Sequence, residues 1–266
     1  MTTTSPARSH VGQVVTKNSV AAAIARLLWT ELKLVLREPV VLIFVLAFPA
    51  MTVLILGGVF SPQDPSFEGI DPSQWFVAAY IGVVIATIGL IMLPVHIAGY
   101  RHAGVTQRFR VSRFPPWALP LTHFLVGLIM TGVGIVVLLT VATLSYGIPS
   151  VHDPSRTAAG IGLGAMAFIS IGVMLGSLLP TARSAQGLGM LLFFPFFLLG
   201  GGGPPPDAMG PAMRTVSTWT PLTHVIRAIQ EPWLNTGQPT DHLAVTTVIL
   251  IASMTVWITT ARRARA

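Results

Sequence analysis

Six stretches without a single Asp, Glu, Lys or Arg dominate this sequence: residues 39–63, 72–100, 114–152, 157–182, 184–206 and 242–261. A helix needs about 20 apolar residues to cross a ~30 Å hydrocarbon core. A charge at mid-membrane costs at least ~2.5 kcal/mol. Six such runs in 266 residues predict six transmembrane helices, over about 40–60, 75–99, 117–146, 158–179, 185–203 and 242–261. Composition agrees, since only 9% of the residues are charged against about 25% in a soluble domain. A chain so short of charge cannot clothe a globular surface, and one so apolar does not stay disordered. The expected fold is an all-α integral membrane protein.

The links between the runs orient it. Residues 1–38 carry Arg8, Lys17, Arg26, Lys33 and Arg37, and the link after the second run carries Arg101, Arg108, Arg110 and Arg113. Arg183 follows the fourth run, and Arg262, Arg263 and Arg265 end the chain. Thirteen of the sixteen basic residues thus fall on one side, with Arg156, Arg214 and Arg227 on the other. That other side holds seven of the nine acids, including Asp64, Glu68 and Asp71. Positive-inside bias then places both termini in the cytoplasm. The expected division is a cytoplasmic tail over 1–19, one membrane domain over 20–261 and a second tail over 262–266. Residues 1–38 lack the short apolar core and small-residue cleavage site of a secretory signal.

From Val20 onward Arg26, Thr30, Lys33 and Arg37 recur at helical spacing, with Ile24, Leu28, Leu32 and Val35 opposite. This predicts an amphipathic helix lying in the headgroup plane, its polar positions including Glu31, and Pro39 after Glu38 turns the chain into the first run.

Several chemistries are excluded. A phosphate-binding loop ends in Gly-Lys-Ser/Thr so that its lysine reaches the β/γ-phosphates. The only lysines here, Lys17 and Lys33, follow Thr16 and Leu32. If ATP powers this protein, another polypeptide hydrolyses it. There is no His-Glu-x-x-His, no Gly-x-Ser-x-Gly and no cysteine, so zinc-protease, esterase-type and thiol chemistry lack their residues. The six runs contain no acid for a proton relay, and two of their histidines, His96 and His123, fall near the cytoplasmic ends as interfacial or packing residues, or as groups that titrate in transport. Gly160/Gly164 and Gly172/Gly176 have the spacing of close helix packing. Pro49, Pro94 and Pro195 fall inside runs as kinks.

Two segments carry more. In 101–113, Val105 and Phe109 are four apart among arginines, which makes a short helix with one apolar ridge, either an anchor for acidic headgroups or a docking element for a cytoplasmic partner. In 204–235, Pro204–Pro206 stops a helix and Asp207 can cap the next. Met209, Met213 and Val216 then follow at helical spacing, and after Trp219-Thr-Pro221 so do Leu222, Val225, Ile226 and Ile229. Both pieces are too short to span, so they are expected as a re-entrant outer hairpin closing the pathway, with Trp219, Pro221, Thr223 and Arg227 as its gate. Arg227 and Glu231 stand one turn apart and could pair.

These features together resemble the type-2 membrane subunits of ATP-binding cassette exporters, and among them the daunorubicin-resistance-type permeases. The likeness rests on Leu36-Arg37-Glu38-Pro39 before the first run, on Gly104-Val-Thr-Gln-Arg108, and on Thr220-Pro-Leu-Thr-His-Val-Ile-Arg227 before the last. It covers about 20–235, and departs at Gly99-Tyr100-Arg101, where a glutamate is common. The resemblance implies a permease subunit moving a drug, antibiotic or lipid out across the cell membrane. It implies ATPase subunits as partners, holding ATP and Mg that this chain does not bind, and a second permease chain, identical or paralogous. Membrane lipids would surround the complex; nucleic acid is not an expected partner. Coupling to the ATPase would fall on Arg101, Thr106, Arg108, Phe109 and Arg110, and on the interfacial helix with Arg26, Glu31, Lys33 and Arg37. A proton-coupled carrier, a lipid-processing enzyme and a permease for polysaccharide or haem remain as alternatives.

Overall fold

The apolar runs fold as helices because a backbone without water as a partner must satisfy its own N–H and C=O groups. The computed structural model of this protein describes residues 17–61, 64–67, 69–104, 117–203 and 209–263, with the side chains of 17–20, 40, 41 and 260–263 left aside. Among the described residues there is no strand. The helices are α1 (Lys17–Val35), α2 (Pro39–Leu42), α3 (Phe48–Val59), α4 (Pro72–Thr87), α5 (Leu93–His102), α6 (Ala118–Tyr146), α7 (Pro154–Leu178), α8 (Ala182–Leu199), α9 (Pro211–Ser217), α10 (Pro221–Leu234) and α11 (Thr240–Arg263).

Among the described residues, five helical segments are long and apolar enough to cross a membrane: Pro72–His102, Ala118–Tyr146, Pro154–Leu178, Ala182–Leu199 and Thr240–Thr259. The first run, expected as a sixth, gives the shorter apolar helix Ile43–Val59. It ends early because Phe60 turns to extended backbone (φ −88°, ψ 139°), short of the charge-free run's end.

Two of the prolines explain irregular turns. π-turns at Ile43–Ala47 and Ile88–Met92 each run directly into a Xaa-Pro pair, Phe48-Pro49 and Leu93-Pro94. A proline lacks an N–H and its ring presses on the carbonyl four residues back. Those carbonyls belong to Val45 and Leu90, both inside the π-turns, so widening the turn there relieves the clash. The helix then continues: α2 and α3 form one rod, as do α4 and α5.

The α4–α5 rod is the axis of the molecule. Every residue from Phe76 to Pro94 is buried, as a helix that is apolar all round requires. α3, α6, α7, α8 and α10 surround it. Glycine lets α7 approach closely on two levels. A side chain at Gly160 would strike the Ala228 carbonyl oxygen, and one at Gly164 would meet Val225, so the first half of α7 lies on α10. Gly172 faces the Gly89 carbonyl and Gly176 faces Pro94 and Ile97, so its second half lies on the central rod. Phe48, Phe193, Phe197 and Tyr80 pack ring to ring and join α3, α8 and α4.

The helix ends fall into two sets. Asp71 caps α4 through the Ser73 N–H (2.8 Å), and Asp153 caps α7 through the Arg156 N–H (3.0 Å). Those N-termini lie at the acidic end, with the C-termini of α6 and α10: the Ser150 N–H donates to Gln74, and the His152 N–H to the Trp233 carbonyl. At the opposite, basic end stand Arg101, the C-terminus of α7 and the N-terminus of α8, which Thr181 and Ser184 close with a reciprocal capping box.

Candidate functional site

Three places gather the polar or cavity-forming side chains that a membrane protein keeps for function.

The first is at the acidic end. α10 is strongly amphipathic, and Leu222, Val225, Ile226 and Ile229 are all buried. Pro221 occupies its first turn, and Asn235 ends it in left-handed backbone (φ 58°). Its polar side borders a cavity of about 220 Å³ lined by Ser217, Thr223, Arg227, Gln230 and Glu231, with Trp75, Gly200 and Gly201 across from them. The buried Thr223 hydroxyl donates to the Ser217 carbonyl (2.7 Å), and the Gln230 amide donates to the Trp75 carbonyl (3.1 Å). Thr223 and Arg227 of the expected gate thus share one cavity. Trp219 does not join them: it is 83% exposed on the turn between α9 and α10.

Other expectations here are corrected. α9 begins at Pro211, behind Gly210, so Met209 precedes it and is buried, whereas Met213 and Val216 are exposed. Those three residues therefore form no shared apolar face; the seven residues of α9 are too few to impose one on the fold. Pro204–Pro206 and Asp207 lie outside the described residues. Glu231 pairs not with Arg227 but with His242 (Oε1 to Nε2, 3.2 Å). His242 Nδ1 meets His224 Nδ1 at 3.0 Å, and His224 Nε2 meets the Thr218 carbonyl at 3.0 Å. A carbonyl only accepts, so His224 Nε2 donates and its Nδ1 accepts from His242. The pull of α11 on α10 through this chain is invisible to one-turn spacing.

The second place is at the basic end. Arg26 and Lys33 of α1 and Arg37 just beyond it are exposed, with the Lys33 ammonium 4.9 Å over the Trp29 ring. Glu31 is not on that face. It is fully buried, and its Oε2 lies 2.5 Å from His96 Nε2 on α5. His123 of α6 is also buried, and its ring stands edge-on to His96 at 5.8 Å. Tyr100 stands beside both, tilted against His96 and edge-on to His123. One atom from each of Glu31, His96 and His123 lies within 4.8 Å of the others, a spacing that could hold a metal ion. Burial pushes the Glu31 carboxyl up, but the hydrogen bond and charge of His96, with the charge of His123, outweigh it and hold the group below the usual carboxylate range. The acid-free runs therefore do receive a buried carboxylate, lent by α1 from outside them. Sequence reasoning missed it because 65 positions separate Glu31 from His96. The available signal was spacing: Glu31 lies seven after Ile24, three after Leu28 and four before Val35, an acid on the apolar side of α1.

Arg101, expected as a docking residue, turns back on the protein. Its guanidinium donates to the carbonyls of Gly176 (3.5 Å), Ser177 and Leu179 (3.2 Å). Those carbonyls end α7, where a cation is favoured by the helix dipole. Thr106, Arg108, Phe109 and Arg110 lie outside the described residues, as do Arg8, Glu68, Arg113 and Arg265.

The third place was not anticipated. A groove of about 370 Å³ opens between α6, α7 and α11, lined by Trp117, Pro120, Leu121, Phe124, Ser170, Val173, Met254 and Trp257. Its volume lies within the ~300–1,000 Å³ of small-molecule sites, and among the described residues Ser170 and the two indole N–H groups are its only side-chain polar groups.

Among known proteins, the family model described as ABC-2 type transporter matches residues 22–232. No curated protein matches the chain significantly.

Proposed function

The chain belongs to the ABC-2 type transporter family, and on that premise we propose that it exports a hydrophobic cargo, a drug, antibiotic or lipid, across the cell membrane. It is a permease subunit of an ABC transporter, a multi-pass membrane chain that carries transport rather than catalysis. In the proposed complex two permease chains form the pathway, as a homodimer or with a paralogue, and two ATPase subunits hold ATP and Mg. The proposed subtype is the daunorubicin-resistance type. Pro39–Val59 serves as the first of six spans, and both termini face the cytoplasm. The hairpin of α9 and α10 enters from the outside, with α10 buried among α4, α7, α8 and α11.

The observation that carries this reading is α1. Its Glu31 and Val35 are buried against the bundle while Arg26, Lys33 and Arg37 stay exposed at the same end as Arg101. An amphipathic helix so fastened converts a push from the cytoplasm into rotation of the spans it grips. Function is then a shift of population between inward- and outward-facing states. The groove between α6, α7 and α11 supports the cargo class, because its walls are almost wholly apolar.

Co-expression with an ATPase subunit and reconstitution into vesicles tests the proposal. Export should require ATP and survive collapse of the proton gradient. Phe109→Ala should weaken ATPase recruitment by ~2 kcal/mol or more, as loss of a buried aromatic anchor does, while membrane insertion is unchanged. Full recruitment and full transport by that variant would reduce 101–113 to a lipid anchor. Transport that follows the proton gradient instead of ATP would sink the whole reading.

A further inference from the structure

We propose that Glu31, His96 and His123 form a binding site for a divalent transition metal of the zinc class, which fastens α1 to α5 and α6. The site stands on the side chains alone and does not depend on the identity of the cargo. Each ligand comes from a different helix, and the candidate atoms lie within 4.8 Å of one another. Glu31 is 0% exposed and His123 4%. The short contact between Glu31 Oε2 and His96 Nε2 accounts for one atom of each residue. Among the described residues it leaves Glu31 Oε1 and His123 Nε2 buried without a hydrogen bond of good geometry, with the Tyr100 hydroxyl beside the Glu31 carboxyl. Buried polar atoms are seldom left so, and each such exception calls for an explanation such as an ion. A cation among the three side chains supplies one partner for all of them.

The donor set selects the ion. Two imidazoles and a carboxylate suit Zn²⁺, Co²⁺ or Ni²⁺, whereas Mg²⁺ and Ca²⁺ take oxygen ligands. Zn–N and Zn–O distances of about 2.0–2.2 Å set ligand atoms roughly 3.3–3.5 Å apart around a tetrahedral ion. The wider pairs therefore close in, while Glu31 Oε2 and His96 Nε2, 2.5 Å apart, separate as the metal replaces their hydrogen bond. The fourth position is left to Tyr100, which stands against both imidazole rings, or to solvent. Metal ligands must be deprotonated to bind, so affinity rises with pH.

The test uses the full chain in detergent micelles, purified without a polyhistidine tag and stripped with EDTA. Titration with Co²⁺ should give visible d–d bands that saturate at about one equivalent per chain and are displaced by Zn²⁺, which binds more tightly. His96→Ala, His123→Ala and the shape-preserving Glu31→Gln should each weaken binding by more than the ~10–100-fold that loss of an outer-shell partner costs. Zn²⁺ should raise the unfolding temperature of the wild type and leave that of the variants unmoved. Unfolding temperatures measured in EDTA separate loss of binding from loss of fold. The proposal is overturned if the wild type gives no cobalt spectrum. It is equally overturned if all three variants keep that spectrum, since the metal would then sit elsewhere, with His224 and His242 the next pair of imidazoles.

Discussion

Single residues decide how closely these helices pack, and glycine is the clearest case. Gly160 and Gly162 sit on the same helix two positions apart, yet their surroundings differ completely. A β-carbon at Gly160 would run into the backbone carbonyl of Ala228, whereas one at Gly162 meets nothing within 4 Å. A backbone atom cannot rotate away as a side-chain tip can. Gly160→Ala should therefore cost about 1–3 kcal/mol, the usual range for overpacking. Gly162→Ala should be neutral or stabilising by ~1 kcal/mol from helix propensity. Unfolding temperatures of the two variants in detergent provide the comparison, and equal shifts would show that α7 does not press on α10. The spacing of Gly160/Gly164 and Gly172/Gly176 made close packing legible in the sequence, but not the partners. Spacing identifies a smooth face; which helix covers it depends on contacts over 60 residues apart. Glu31 was hidden for the same reason. A helical wheel places it on the apolar side with Ile24, Leu28 and Val35, and the arrival of His96 and His123 makes its burial tolerable.

At the scale of elements, legibility follows length. The long runs announce themselves because twenty apolar residues leave one physical option, and among the described residues five helical segments are long and apolar enough to cross a membrane. α10 was legible from Leu222, Val225, Ile226 and Ile229, all of which are buried. α9 was not, because a helix of two turns takes its orientation from its neighbours. The π-turns were also unreadable, although Pro49 and Pro94 marked where irregularity had to fall. The proposed gating role of the hairpin has a direct test on the turn between α9 and α10. Trp219 is highly exposed there, so a cysteine in its place can reach the same position of a second chain without disturbing the core. A disulfide between the two copies should abolish export while ATPase subunits still bind. Undiminished export with the link fully formed would leave the hairpin as an external cap.

For the whole molecule, the two ends differ in chemistry as well as in position. Arg101 and Arg183 stand at one end with the exposed face of α1; Asp64, Asp71, Asp153 and Asp241 stand at the other. Lipid bilayers translate such asymmetry into orientation, because basic loops are retained on the cytoplasmic side. The argument is strongest where the loops are short, as with the link carrying Arg183. It is independent of whether Pro39–Val59 crosses fully, provided that the residues before and after it are assayed separately. The chain has no cysteine, so single cysteines at Ser5 and Ser66 report without background. Ser66 borders the polar cavity beside α10. An impermeant maleimide applied to intact cells should label position 66 and leave position 5 unlabelled until the membrane is opened. Labelling of both from outside would mean that Pro39–Val59 does not cross. Labelling of position 5 alone would invert the molecule and place Arg227 and the hairpin in the cytoplasm, where they could no longer gate an exit.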